Sequence, residues 1–251
     1  MILYEYPLNE GLRALLRIED VLERFEHFRN GDTTHDHAQA VALMFDLVDL
    51  FTRTDCRTEL LSHLDRQRRA LSQYRDSPDV SGEALERMLL ELYRCHERVG
   101  AASMHPAQAI RDNEWLMAVR SRILLPGGAA DYDMPSFWAW QNGSLERRRA
   151  DLRRWMEPFE PMAESLRLVL RLLRESGKPM SLLASDGSCQ HSLGGQSYQM
   201  TQLRIDPALK AVPEISANKY LLWIRFNDLD DRVRARASTR RIPFELTLCN
   251  L

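Results

Sequence analysis

From Leu8 to about Ser176 the apolar residues recur at spacings of three and four, the pattern of amphipathic helices. Short polar or Gly/Pro stretches interrupt them at Asn30-Gly31-Asp32, Ser77-Pro78-Asp79, Gly100, Pro126-Gly127-Gly128 and Asn142-Gly143-Ser144. About six helices fit between these breaks, with Asn9, Thr34, Ser81 and Ser144 placed to cap helix starts. After Gly177 the pattern changes to alternation. Tyr198–Ile205, Lys219–Phe226 and Ile242–Cys249 read as strands, separated by Gly194-Gly195, Asp206-Pro207 and a charged stretch, DLDDRVRARASTRR, that reads as a mobile loop. The expected fold class is therefore α+β: a mostly helical domain over residues 7–176, then a small antiparallel β-sheet domain over 177–251. The opening ILYEY has the texture of a strand that could return to pair with that sheet, bringing residues 1–6 into it. No internal repeat is present.

The same periods assign faces. On the first helix Leu8, Leu12, Leu15, Ile18, Leu22 and Phe25 share one arc, while Arg13, Arg17 and Arg24 gather opposite with Asp20 among them. Such a row is more commonly a solvated face, which interspersed acids such as Asp20 accompany, than a binding one. Glu19 falls beside the leucines, where a carboxylate needs a cation, and Arg57 at the start of the third helix is the natural partner. Arg120 and Arg122 are two apart and cannot share a helix face, so only one of them is easily an exposed site residue. In the strand from Lys219 to Phe226, period two sends Tyr220, Leu222, Ile224 and Phe226 to the core. Lys219, Leu221, Trp223 and Arg225 lie on the opposite side, a mixture of cations and apolar anchors suited to a peptide carrying carboxylates. Burial of Trp223 under the helices, with Lys219 and Arg225 in rim ion pairs, fits that pattern as well. Phe137, Trp138 and Trp140 lie outside any strong period and either line a groove or cement a junction.

Charge sharpens this picture. The 251 residues balance 34 Lys+Arg against 36 Asp+Glu, but 31 of the basic residues are arginine. Codon composition alone would produce such a bias; a guanidinium fork is also the better group for bidentate capture of carboxylates. The segment from Lys178 to the end is net basic and the remainder net acidic.

Catalytic chemistry finds little support. GxSxG, HExxH, GxxxxGK[ST] and GxGxxG are absent, and Ser185-Asp186-Gly187-Ser188 reads as a turn. His35 and His37 flank Asp36 at a helix start, pointing in different directions with no third ligand following, which favours capping or solvent exposure. Cys56, Cys95, Cys189 and Cys249 form no CxxC pair and read as reduced packing residues. No cofactor or metal is expected. The N-terminus has no export signal, and no stretch approaches the roughly 20 apolar residues of a membrane span, so a cytoplasmic protein with no membrane partner is expected.

Five stretches carry a resemblance: YEYPLNEGLRALLRIE (Tyr4–Glu19), RTELLSHLDRQRRAL (Arg57–Leu71), LMAVRSRILLPGG (Leu116–Gly128), the DMP of Asp133–Pro135, and PEISANKYLLWIRF (Pro213–Phe226). In order and spacing they resemble the Z-ring-associated protein D (ZapD) family of cell-division proteins. The resemblance implies a non-enzymatic cytoplasmic homodimer, at the division site, that binds the C-terminal tail of the tubulin-like protein FtsZ and bundles its filaments. It further implies a basic pocket for the tail. Arg13 and Arg17 stand in the matching helix, and Lys219 and Arg225 in the matching strand. Arg57, Arg120, Arg122, Trp138 and Trp223 complete the expected partner-binding set. The rival reading is a nucleic-acid-binding module using Trp223 with the Arg232–Arg241 loop, which the near-neutral total charge disfavours.

Overall fold

The computed structural model describes residues 1–251 apart from 54, 79, 104, 128 and 231–233, and the side chain of residue 53. Two compact units result, one made of Met1–Arg13 with Leu170–Leu251 and the other of Ala14–Val169. Compared with the expected division, the strand unit takes in the first 13 residues and the end of a helix. The fold class is α+β, as expected.

The helical segments are α1 (Glu10–Asn30), α2 (Thr34–Arg53), α3 (Cys56–Ser72), α4 (Gly82–Ala101), α5 (Gln108–Arg111), α6 (Glu114–Ile123), α7 (Pro135–Gln141), α8 (Leu145–Met156) and α9 (Glu160–Glu175). These exceed the expected six because α5 and α7 are too short to display a helical period and because α8 and α9, separated by a short turn at Glu157–Phe159, stand where one last long helix was expected. Asn9 Oδ1 accepts from Leu12 N at 2.7 Å, and Ser81 and Ser144 cap α4 and α8. The second cap is Thr33 rather than Thr34. Its hydroxyl accepts from Asp36 N at 3.0 Å while the Asp36 carboxylate accepts from Thr33 N at 3.1 Å, a reciprocal capping box.

Arg148 on α8 organises the α1–α2 loop. Only 5% exposed, it donates Nε to His37 Nδ1 at 2.7 Å, Nη1 to the carbonyls of Gln141 and Gly143 at 2.7 and 2.6 Å, and Nη2 to Asp32 O at 3.2 Å. Arg149 beside it donates to Asn30 O at 2.8 Å and to the Asp32 carboxylate at 2.7 Å. His37 is therefore buried and not a solvated or capping group, because its Nδ1 serves as the acceptor for Arg148. Burial, then the Arg148 charge, lowers its pKa.

Buried His63 on α3 behaves alike: burial, then the charge of Arg66, lowers it from 6.5 to about 4. A histidine depressed in the folded state adds no penalty above its unfolded pKa. As pH falls below 6.5 the unfolded chain takes up a proton that the folded one refuses, so stability is lost down to the folded pKa. Chemical denaturation should show roughly 1 kcal/mol lost between pH 7.5 and 5.5 through His63. His63→Gln should flatten that slope, and an unchanged slope would show that His63 titrates normally.

The strand unit contains β1 (Ile2–Pro7), β2 (Pro179–Ala184), β3 (Ser188–Ser192), β4 (Met200–Ile205), β5 (Ala211–Ala217), β6 (Leu221–Leu229), β7 (Ala235–Ala237) and β8 (Ile242–Cys249). One sheet has the order β1-β4-β8-β2; the other runs β3-β6-β5, with β7 also paired to β6, and all pairings are antiparallel. The opening strand does join a sheet, placing Ile2 opposite Ile205 and Pro7 opposite Met200. Leu203, Ile205, Ile242, Phe244 and Leu246 of the first sheet share a core with Leu222, Ile224 and Phe226 of the second, where the Phe226 and Phe244 rings lie 5.2 Å apart.

On the other face of the first sheet, Glu5 accepts two bonds from Arg174 at 2.7 and 2.8 Å and one from Gln202 at 2.8 Å. Burial opposes ionisation of Glu5, but Arg174, Gln202 and Arg204 together hold its carboxyl below its usual range.

Three sequence expectations change. β6 begins at Leu221, so Lys219 and Tyr220 belong to the β5–β6 turn, and Tyr220 is 62% exposed rather than in the core. The charged segment after Leu229 contains β7, which pairs with the end of β6. Edge strands β2, β3 and β5 escaped notice: β3 is polar apart from Cys189, which packs against the core, and β5 carries Pro213, tolerated where one side of a strand needs no partner.

The tight turn that carries the chain from β2 in the first sheet to β3 in the second is built on Asp186 and Gly187, both with positive φ (48° and 64°), and is closed by a bridge between Ser185 and Ser188. Gly187 N donates to Arg240 O at 2.9 Å and its carbonyl accepts from Phe226 N at 2.8 Å, and a Cβ on it would collide with the Ser238 carbonyl. Gly187→Ala should therefore cost about 2 kcal/mol or more, read as a lowered urea midpoint. A midpoint equal to the parent's would contradict this packing.

Candidate partner-binding surface

Because Leu222, Ile224 and Phe226 are buried, the intervening residues of β6 must face outward. Leu221, Trp223 and Arg225 form that row, with Trp223 half-buried and Arg225 exposed. Across the ladder Trp223 lies opposite Gln190 on β3 and Ser216 on β5, whereas Arg225 lies opposite Ser188 and Glu214. Between these neighbours Trp223 keeps part of its surface exposed, and of the two only Ser216 is short. Glu214 stands across from Arg225, yet no ion pair or hydrogen bond joins the two. The guanidinium is thus available to a carboxylate approaching from outside.

At the start of β6, Asn218 Oδ1 accepts from Tyr220 N and Leu221 N at 2.8 and 2.9 Å, which shapes the turn that exposes Lys219. The Lys219 ammonium lies 5.7 Å from the centre of the Tyr220 ring. Lys219 also borders a cavity of about 330 Å³ lined by Leu8, Leu193, Tyr198 and Asn218 among others. Arg13, in the same unit, stacks 5.5 Å over Tyr6 and pairs with Glu10 at 3.2 Å. Glu10 is largely solvated, so that pair is worth only about 0–1 kcal/mol and is easily exchanged for an incoming carboxylate. Tyr6 and Gln190 went unnoticed in the sequence: Tyr6 meets Arg13 only where β1 leads into α1, and strand register alone sets Gln190 opposite Trp223.

The other expected residues lie in the helical unit. Arg17, one turn beyond Arg13, and Arg122 are exposed, and their guanidinium groups make no ion pair or hydrogen bond among the described residues. Trp138 is 47% exposed, while Phe137 and Trp140, on the opposite side of α7, are buried in an aromatic cluster with Trp115 and Trp155. Arg120 is engaged internally: its guanidinium spans both carboxylate oxygens of Asp49 at 2.7 and 2.8 Å and lies 5.9 Å from the Phe45 ring. As its spacing required, only Arg122 of the two is exposed. Arg57 donates to the carbonyls of Val99 and Gly100, which serves the C-terminal end of α4. Glu19 is buried as its position predicted.

Of the rival Arg232–Arg241 segment, Arg232 lies outside the described residues. Arg234, Arg236 and Arg241 are exposed, and Arg240 is bound to Asp228 and to Leu209 O. The hydrogen bond from Arg240 holds the Asp228 carboxyl below its usual range. Among the described residues no group of three His, Cys, Asp or Glu is placed to hold a metal, and no helix is long and apolar enough to cross a membrane.

Comparison with known proteins agrees with the segments that carry the resemblance. The sequence profile of the family described as "ZapD: Cell division protein" matches residues 16–225. A protein of Janthinobacterium sp. (strain Marseille) named "Cell division protein ZapD" is 45% identical over 250 residues, covering all of both chains. One of the same name from Ralstonia nicotianae is 44% identical over 251 residues, again over the full length of both. With its expected segments in place and its whole length matched, this chain belongs to the ZapD family of cell division proteins.

Proposed function

We propose that this protein is a non-enzymatic adaptor that binds the acidic C-terminal tail of FtsZ and, as a homodimer, joins two filaments at the division site. The observation that carries this reading is the outward row of β6, where a partly exposed indole shares a strand face with an exposed, unpaired guanidinium. An extended acidic peptide meets there both an apolar platform and a charge-assisted bidentate donor. Lys219 and Arg13 extend the positive field within the same unit, and Arg17, Arg122 and Trp138 are the further exposed residues of the expected set. Arg57 and Arg120 act through the framework, holding α4 and the α2–α6 pair, rather than by touching the tail. Membership of a cell-division family supports the biological setting. Two identical sites related by a two-fold axis would let weak contacts accumulate along paired filaments into stable bundles.

Co-sedimentation with FtsZ polymers should bring this protein into the pellet, and removal of the FtsZ tail should abolish that. Equal pelleting with tailless FtsZ would refute the reading, whereas steep salt-dependent binding to DNA or RNA in its place would favour the nucleic-acid alternative. Arg225→Glu and Trp223→Ala should each weaken binding of an isolated tail peptide by roughly tenfold with the melting temperature retained, because neither side chain belongs to the core. Normal peptide binding by both variants would exclude the β6 face.

A further inference from the structure

The helical unit carries a second surface whose chemistry differs from the β6 face. α3 and α4 pack against each other and bury Leu60 and Leu64 with Leu85, Leu89 and Leu92. Beyond that seam α4 turns Glu86, Leu90 and Tyr93 to one side at spacings of four and three. Leu90 and Tyr93 are 46% and 48% exposed, large apolar groups on a helix whose solvent side is otherwise charged. α3 contributes Arg68, Arg69 and Ser72 to the facing wall, and Arg75 follows from the turn beyond it. Together these residues enclose an open groove of about 550 Å³ with a leucine and tyrosine floor.

Arginine predominates among the charged residues that line the groove. Arg69 is exposed and has no ion pair or hydrogen bond among the described residues. Arg68 bonds Asp65 at 3.0 Å, and Arg75 reaches across the rim to Glu86 at 2.9 Å. Both partners of the Arg75–Glu86 pair are more than half exposed, so water and salt screen it and an incoming carboxylate can displace it at little cost. Glu86 is the one acid on a wall of three arginines. Around this basic groove the helical unit is acidic, residues 14–169 carrying 21 arginines against 26 acidic residues. Such a field repels a long polyanion but permits a short acidic segment that seats on the arginines locally.

We infer that the α3–α4 groove is a docking site for an acidic peptide segment bearing an adjacent apolar and aromatic pair. The carboxylates engage Arg68, Arg69 and Arg75, and the pair covers Leu90 and Tyr93. This site is separate from the β6 face and stands whether or not that face binds FtsZ.

The probe is a fluorescein-labelled decapeptide of aspartate and glutamate with a central Leu-Phe pair, titrated with the full chain and followed by anisotropy. Arg69→Glu and Tyr93→Ser should each raise its Kd at least tenfold while melting temperature stays at the parent's value, since both residues are exposed. A control peptide with Gly-Ser at the centre should bind at least tenfold more weakly than the probe. Three results would overturn the inference: equal binding by probe and control, parent-like binding by both groove variants, or loss of probe binding with Arg225→Glu while Arg69→Glu still binds. Sedimentation velocity distinguishes one further occupant. If Tyr93→Ser converts a dimer to a monomer, a second copy of this chain covers the groove, and the peptide assignment fails.

Discussion

Burial of one side of β6 is the constraint on which the proposed partner surface depends. Leu222, Ile224 and Phe226 are held against Phe244, Leu203 and Leu246, so the backbone between them has no freedom to rotate its alternate residues inward. A slip by one residue would place Arg225 in an apolar core and expose Phe226, at a cost far above that of any surface contact. The outward projection of Trp223 and Arg225 is thus enforced by residues that never meet a partner. The Asp186-Gly187 turn contributes to the same end, since Gly187 is bonded to Phe226 and to Arg240 in the connection between β7 and β8.

In the helical unit the corresponding constraint is the buried guanidinium of Arg148. No carboxylate neutralises it directly; three main-chain carbonyls and the neutral His37 ring take its donors. A cation in that position, together with burial, disfavours protonation of His37, which couples the start of α2 to α8 chemically as well as sterically. The arginine excess therefore divides by task. Arg148, Arg149, Arg57, Arg120 and Arg174 are fasteners aimed at carbonyls or carboxylates, whereas Arg17, Arg69, Arg122 and Arg225 face solvent without a partner among the described residues. Lysine could not replace the first group, because a single ammonium cannot serve acceptors lying in a plane on several sides.

Much of this was legible in the chain. The long helices announced themselves because a 20-residue amphipathic period outweighs local accidents, and three of the four expected caps were located correctly. The β6 and β8 strands showed through their buried alternation. What failed was local in each case. Tyr220 follows the alternation of β6 but falls in a turn governed by Asn218, and periodicity has no knowledge of where a strand begins. Thr33 and Thr34 are chemically equal as caps, and only the return bond from Asp36 decides between them.

The sequence by itself determined the α+β class, the buried face of each long element and the family, because these depend on patterns spread over many residues. Tertiary structure alone decided which arginines are spent internally and which remain for a partner. A guanidinium's role is set by the acceptors brought within hydrogen-bonding distance of it, and those acceptors come from segments dozens of residues away: Asp49 for Arg120, Val99 for Arg57, Asp32 for Arg148.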